Sequence, residues 1–181
     1  MQKIYLTEQS VDNARTNIIN GINNGAAYLN YIGHAATDRL AQEGILRIGD
    51  VPSLNSQTGH PVILAMTCAV GQFALPGWEA LSESLMRKAD GGAAAVWSPT
   101  GYSYNDEAMI LNEEFHWIVF RDGENILGNA ILKTLRNHRH RGGQPHLSAI
   151  YTLLGDPALH LRPRYYGQRY WKSYWKSYWK R

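Results

Sequence analysis

Pro61-Val62-Ile63-Leu64-Ala65-Met66-Thr67-Cys68 is an unbroken apolar run that ends on the only cysteine of a 181-residue chain. A continuous Val/Ile/Leu run of this kind, set off by Pro61 before it and Gly71 after it, reads as a strand buried on both faces, as parallel sheets require. Cys68 then stands where the strand leaves the sheet. A second run, Ala26-Ala27-Tyr28-Leu29-Asn30-Tyr31-Ile32, ends in the same way at Gly33-His34. If the two strands are parallel neighbours, His34 and Cys68 emerge side by side at the carboxyl edge, where open α/β sheets place their ligands. A thiol nucleophile with a histidine partner needs that placement.

Working outward, Ser10 followed by Val11, Ala14, Ile18, Ile19 and Ile22 predicts a capped amphipathic helix that ends at Asn23-Asn24-Gly25 and feeds the histidine-bearing strand. Lys3-Ile4-Tyr5-Leu6 is too short to be read as a strand. A crossover with a short helical turn at Gly49-Asp50-Val51-Pro52-Ser53-Leu54-Asn55 joins the two strands. After Cys68 a loop with Gly71, Pro76 and Gly77 leads to a helix over residues 78–88, with Leu81, Leu85 and Met86 inward. Gly91-Gly92 turns the chain into a third buried strand, Ala93-Ala94-Ala95-Val96-Trp97. The loop behind it, Ser98-Pro99-Thr100-Gly101-Tyr102-Ser103-Tyr104, falls on the same edge as His34 and Cys68 and is the natural third wall of a pocket. Trp97, Ser98, Tyr102 and Tyr104 are its candidate lining. Helices are read over residues 105–120, from Met109, Ile110, Phe115, Ile118 and Val119, and over 126–135, with a solvated basic end Arg136-Asn137-His138-Arg139-His140-Arg141. Tyr151-Thr152-Leu153-Leu154, strand or helix, precedes the turn Gly155-Asp156-Pro157.

The chain is 44% apolar with a formal net charge of +3, enough for one globular domain with a true core. Much of the basic excess lies at the C-terminus, so the body does not read as a nucleic-acid binder. One cysteine excludes an internal disulfide. No stretch in residues 1–30 has the build of a signal peptide and no 18-residue apolar run is present, so the chain reads as soluble with no address of its own. Residues 1–162 form the expected domain. In 163–181 the unit Tyr170-Trp171-Lys172-Ser173 recurs as Tyr174-Trp175-Lys176-Ser177 and Tyr178-Trp179-Lys180, and reads as a disordered low-complexity tail. Its aromatics and lysines would suit an anionic membrane surface or single-stranded nucleic acid, a reading weaker than the bland one.

Four ordered blocks, Tyr31-Ile32-Gly33-His34, Leu64-Ala65-Met66-Thr67-Cys68, Ala95-Val96-Trp97-Ser98-Pro99-Thr100-Gly101 and Leu153-Leu154-Gly155-Asp156-Pro157-Ala158-Leu159, together resemble the gingipain-type cysteine peptidases of the caspase-like clan over residues 3–162. The resemblance implies an α/β three-layer caspase-like fold, with a mostly parallel central sheet flanked by helices. It implies a cysteine endopeptidase with a His34 and Cys68 dyad, an oxyanion hole from the amides of Ala35 and Cys68, a protein or peptide substrate, no cofactor, and an exported or cell-surface bacterial setting. Two departures stand out. Ala35 replaces the glycine usual after the histidine, and its Cβ is expected to restrict φ there. The sequence also starts just before the histidine-bearing strand, so it resembles the C-terminal half of a catalytic domain, with a sheet incomplete on its N-terminal side and an upstream segment as a possible partner.

Bland readings stand beside these. A lone buried cysteine is usually an inert core thiol, and only its pairing with His34 lifts it above that. A pseudo-peptidase that binds peptides without cutting them, or a sortase-like transpeptidase acting on exported proteins, would share the dyad. His138, His140 and His146 could be read as zinc ligands, but no fourth ligand is spaced to complete a tetrahedral set, so no metal is expected. Asp156 reads as a turn residue.

Overall fold

The computed structural model describes residues 2–56 and 58–161, so the repeat tail and the readings made for it lie outside the described residues. Helix α1 (Val11–Asn23) starts at Ser10, whose Oγ accepts the Asn13 amide at 3.2 Å, and buries Ala14, Ile18 and Ile22 at four-residue spacing. Asn24 and Gly25 end it, and β1 (Tyr28–Ile32) follows. The chain then makes a small antiparallel meander of two-residue strands, β2 (Ala35–Ala36), β3 (Arg39–Leu40) and β4 (Leu46–Arg47), which the sequence did not show, and then the short helical turn it did, a 3-10 helix over Ile48–Ser53. β5 (Val62–Met66) is the apolar run itself.

β1 and β5 pair in parallel with Tyr28 opposite Val62 and Ile32 opposite Met66, and β5 pairs in parallel with β6 (Ala95–Pro99). The fourth strand, β7 (Tyr151–Gly155), lies antiparallel to β6, giving the order β1-β5-β6-β7. All five residues of β5 are buried, and they alternate between two cores. Ile63 and Ala65 face α1 and α2 (Leu81–Arg87); Val62, Leu64 and Met66 face α3 (Asn105–His116) and α4 (Leu127–His140). A central strand sandwiched this way has no polar face to alternate. Each large aliphatic so buried contributes roughly 1.5–3 kcal/mol, so β5 anchors both layers.

Several expectations are corrected. α2 begins at Leu81 and not Trp78, which is exposed. α3 turns Ala108, Leu111 and Phe115 inward, leaving Met109 and Ile110 partly exposed, and continues as a π-helical turn over Trp117–Arg121. α4 carries its helix through the basic residues to His140, and His138 is buried, not solvated. A short helix unread in the sequence, α5 (Pro145–Ile150), leads into β7. No helix among the described residues is long and apolar enough to cross a membrane.

Candidate active site

Two chain segments leave the sheet on one edge. The first follows β1. Gly33 has φ +153, and a Cβ there would sit 2.8 Å from the Tyr31 hydroxyl, so glycine is required. Tyr31 Oη donates to the His34 carbonyl at 2.5 Å and the Ala41 amide donates to the same oxygen at 2.8 Å. Burial pushes the Tyr31 phenol up to about 12, so it remains a donor at any ordinary pH. The His34 backbone is therefore pinned while its ring is exposed. Ala35 opens β2 opposite Leu40 and its φ is not positive. A Cβ costs nothing in that backbone, which corrects the expected conformational restriction.

The second segment follows β5. Thr67 is buried, Cys68 is half-buried, and Ala69 takes φ +52, a left-handed conformation costing a non-glycine residue about 1–2 kcal/mol. Strain of this kind concentrates at functional turns. Here it is held by Ala69 N–H to Gly101 O and Gly71 N–H to Pro99 O, both 2.9 Å, which lay the turn against the loop after β6. Gly71 fits because a Cβ would lie 2.5 Å from Ser98 Oγ. The Cys68 thiol donates to the Ser103 carbonyl at 3.2 Å, and its sulfur accepts the Ser103 amide at 3.4 Å. Ser103 Oγ lies 3.3 Å from Tyr151 Oη, and burial raises the Tyr151 phenol to about 12.

Thr37 ties the two segments together. Its carbonyl accepts the Leu81 amide at 2.8 Å and its hydroxyl donates to Gln72 Oε1 at 3.3 Å, joining the meander behind His34 to the loop behind Cys68. Beside the thiol lies an open hollow of about 650 Å3 lined by Cys68, Tyr102, Ser103, Tyr104 and His146. Of the sequence candidates, Tyr102 and Tyr104 form its wall and are 87% and 68% exposed. Trp97 and Ser98 do not. Trp97 is fully buried against Phe115 and Tyr151, and Ser98 lies inside with its hydroxyl 2.9 Å from that of Ser82. His34 is not part of that lining.

The hollow also contains two residues that were not among the candidate lining, Ser103 of the wall loop and His146, which the sequence offered only as a rejected zinc ligand. Ser103 acts through its backbone, which leaves no side-chain signal. His146 is brought in by α5, and its ring meets Tyr104 edge to face with centroids 6.0 Å apart. His138 is occupied with Glu107, 2.7 Å away, and no cluster of three or more potential metal ligands occurs among the described residues. Asp156 serves its turn, accepting the Ala158 amide at 2.8 Å.

A family model described as peptidase family C25 matches residues 1–162. The chain belongs to peptidase family C25. In the solved structures, the Arg-specific cysteine proteinase gingipain R (RgpB) superposes with a TM-score of 0.76 at 22% identity, over 82% of this chain and 36% of that one. The complex of Porphyromonas gingivalis RgpB pro- and mature domains gives 0.75 at 22% identity, over 82% and 37%. A third structure, described only as a protease, gives 0.64 at 17% identity, over 81% and 38%. The fold is thus the caspase-like α/β fold of the gingipain catalytic domain, and the chain spans little more than a third of these relatives. No curated protein compared with it matches.

Proposed function

We propose that this C25 family chain carries the catalytic edge of a cysteine endopeptidase, with Cys68 as nucleophile and His34 as general acid and base. The observation that carries the reading is the parallel register. Ile32 and Met66 are paired, the Gly33 amide still reaches the Met66 carbonyl at 3.4 Å, and His34 and Cys68 each stand two residues beyond that pair on the same edge. In the reaction the thiol leaves the Ser103 carbonyl and passes its proton to His34, and the thiolate attacks the scissile carbonyl carbon. The oxyanion is held by the amides of Ala35 and Cys68; one such donor is typically worth about 2.7–4 kcal/mol. Collapse expels the amine, protonated by the imidazolium, and leaves a thioester. Water, deprotonated by the imidazole, then releases the acid. The chemistry calls for no cofactor. The substrate is a protein or peptide lying along the Tyr102 and Tyr104 wall, and a further polypeptide segment can pair with the outer edge of β1.

The test is hydrolysis of an unfolded protein substrate by the chain and by its Cys68→Ala and His34→Ala variants, with products collected in the presence of an added amine. Free carboxylates that vanish in both variants support the endopeptidase; amine-capped products identify a transpeptidase instead. A second reading has its own observation, since the thiol is engaged by Ser103 on both sides and His34 does not line the hollow. That reading is a peptide-binding module that does not cut. It requires equal peptide affinity in wild type and Cys68→Ala with no products from either.

A further inference from the structure

We propose that His146 is a substrate-contacting residue that accepts an acidic side chain of the bound polypeptide, and that Glu107 and His138 are the residues that position it. The inference rests on reading the hollow at Cys68 as the place where the polypeptide lies. His138, on the last turn of α4, is 1% exposed, and its Nε2 lies 2.7 Å from Glu107 Oε2 on the first turn of α3. Its Nδ1 is buried without a partner. The carboxylate can only accept, so Nε2 carries a proton and donates it to Glu107. The chain then folds back over the ring. Gly143 donates to the His138 carbonyl at 2.9 Å, and a Cβ on Gly143 would fall 2.2 Å from His138 Cε1, so only glycine can cross there.

The next residue, Gln144, donates its amide to the same Glu107 Oε2 at 3.3 Å. Pro145 opens α5, His146 follows, and Leu147 is fully buried in the core. His146 is therefore held between a tether to Glu107 and an anchor in the core. Tyr104 stands three residues before Glu107 at the start of α3, its carbonyl accepting the Ala108 amide at 2.9 Å. The Glu107 carboxylate thus ties the start of α3, which carries Tyr104, to the segment that carries His146, and the two rings pack edge to face.

The ligand chemistry follows from what that wall presents. Two phenol hydroxyls and an imidazole N–H are available to oxygen acceptors. Directly upstream of the turn into α5, Arg136, Arg139, His140 and Arg141 form an exposed basic end to α4, with Arg141 also bound to Glu114 at 3.1 Å. Like-signed charge clustered beside a concave site raises the local concentration of the opposite charge. Asp106, exposed on the first turn of α3, accepts the Glu107 amide at 2.9 Å.

The experiment measures binding, not turnover, so it is independent of the dyad. Fluorescent peptides identical except for Glu, Gln, Leu or Lys at one scanned position are titrated against the Cys68→Ala chain. The Glu peptide should bind at least about fivefold tighter than the Leu and Lys peptides, a difference near 1 kcal/mol. His146→Ala should erase that preference. Glu107→Ala should do the same, while Glu107→Gln, which keeps an acceptor for His138 and Gln144, retains it. A preference for Lys, a preference unchanged by His146→Ala, or no binding of any peptide overturns the proposal. Loss of hydrolysis in Cys68→Ala together with no acidic preference would leave the endopeptidase standing and this inference refuted.

Discussion

Ala35 shows how a single residue shifts meaning between sequence and structure. Its extended backbone in β2 makes a glycine unnecessary there. Ala35→Gly should therefore change kcat/KM by less than about threefold, and lower stability by roughly 0.5–1 kcal/mol because glycine is costly within a strand. Steady-state kinetics with denaturant unfolding checks both; a tenfold or greater gain in rate would show that the Cβ obstructs the site. His34 and Cys68 were legible as strand ends because the apolar runs stop beside them. Ser103 and His146 were not, since one works through its peptide group and the other through a fold-back that only Gly143 and the buried His138 explain. His138 itself looked solvated among arginines, yet the face of α4 that carries Ala130, Ile131 and Thr134 takes it inside.

The long buried elements were readable as elements, β1, β5 and β6 from apolar runs and α1, α3 and α4 from helical spacing. The β2–β4 meander was not, because two-residue strands carry no periodicity. Trp97, offered as pocket lining, is a core residue because β6 buries both of its faces. Trp97→Ala should cost about 3–5 kcal/mol, with Trp97→Phe far milder, as read by the urea midpoint; equal midpoints for Trp97→Ala and wild type would contradict the packing described. α3 also carries a pH effect. Burial holds the pKa of His116 below the ordinary histidine value, against the opposing pull of its Nδ1–H bond to the Asn112 carbonyl at 2.7 Å, and its ring stacks on Phe120. The folded state then binds fewer protons than the unfolded one, so this stabilisation is complete above about pH 6.5 and is lost as pH falls. Asp122, held low by Arg121, and Glu124, held low by Lys133, respond only further into acid. Unfolding midpoints from pH 7.5 to 5 should decline in wild type and decline less in His116→Phe. Parallel slopes would remove His116 from the account.

At the scale of the whole molecule, the sheet order and the two cores follow from β5 being apolar along its full length. The antiparallel return of β7 does not follow from it, because Tyr151-Thr152-Leu153-Leu154 has neither a clean alternation nor a helical period. β1 is an edge strand among the described residues, with Tyr28, Leu29, Tyr31 and Ile32 half-buried and only Asn30 exposed. Such an edge invites pairing with another chain. Sedimentation at rising concentration should show self-association that Leu29→Lys suppresses, and a monodisperse monomer at all concentrations would contradict this. The same β1–β5 pairing underlies the central claim, that residues 34 positions apart act as one catalytic unit. The most direct test is the alkylation rate of Cys68 by iodoacetamide at pH 7, compared between wild type and His34→Ala. The account predicts labelling of wild type well above that of a free-cysteine peptide and a drop of about tenfold or more in His34→Ala; equal rates in the two proteins would contradict it.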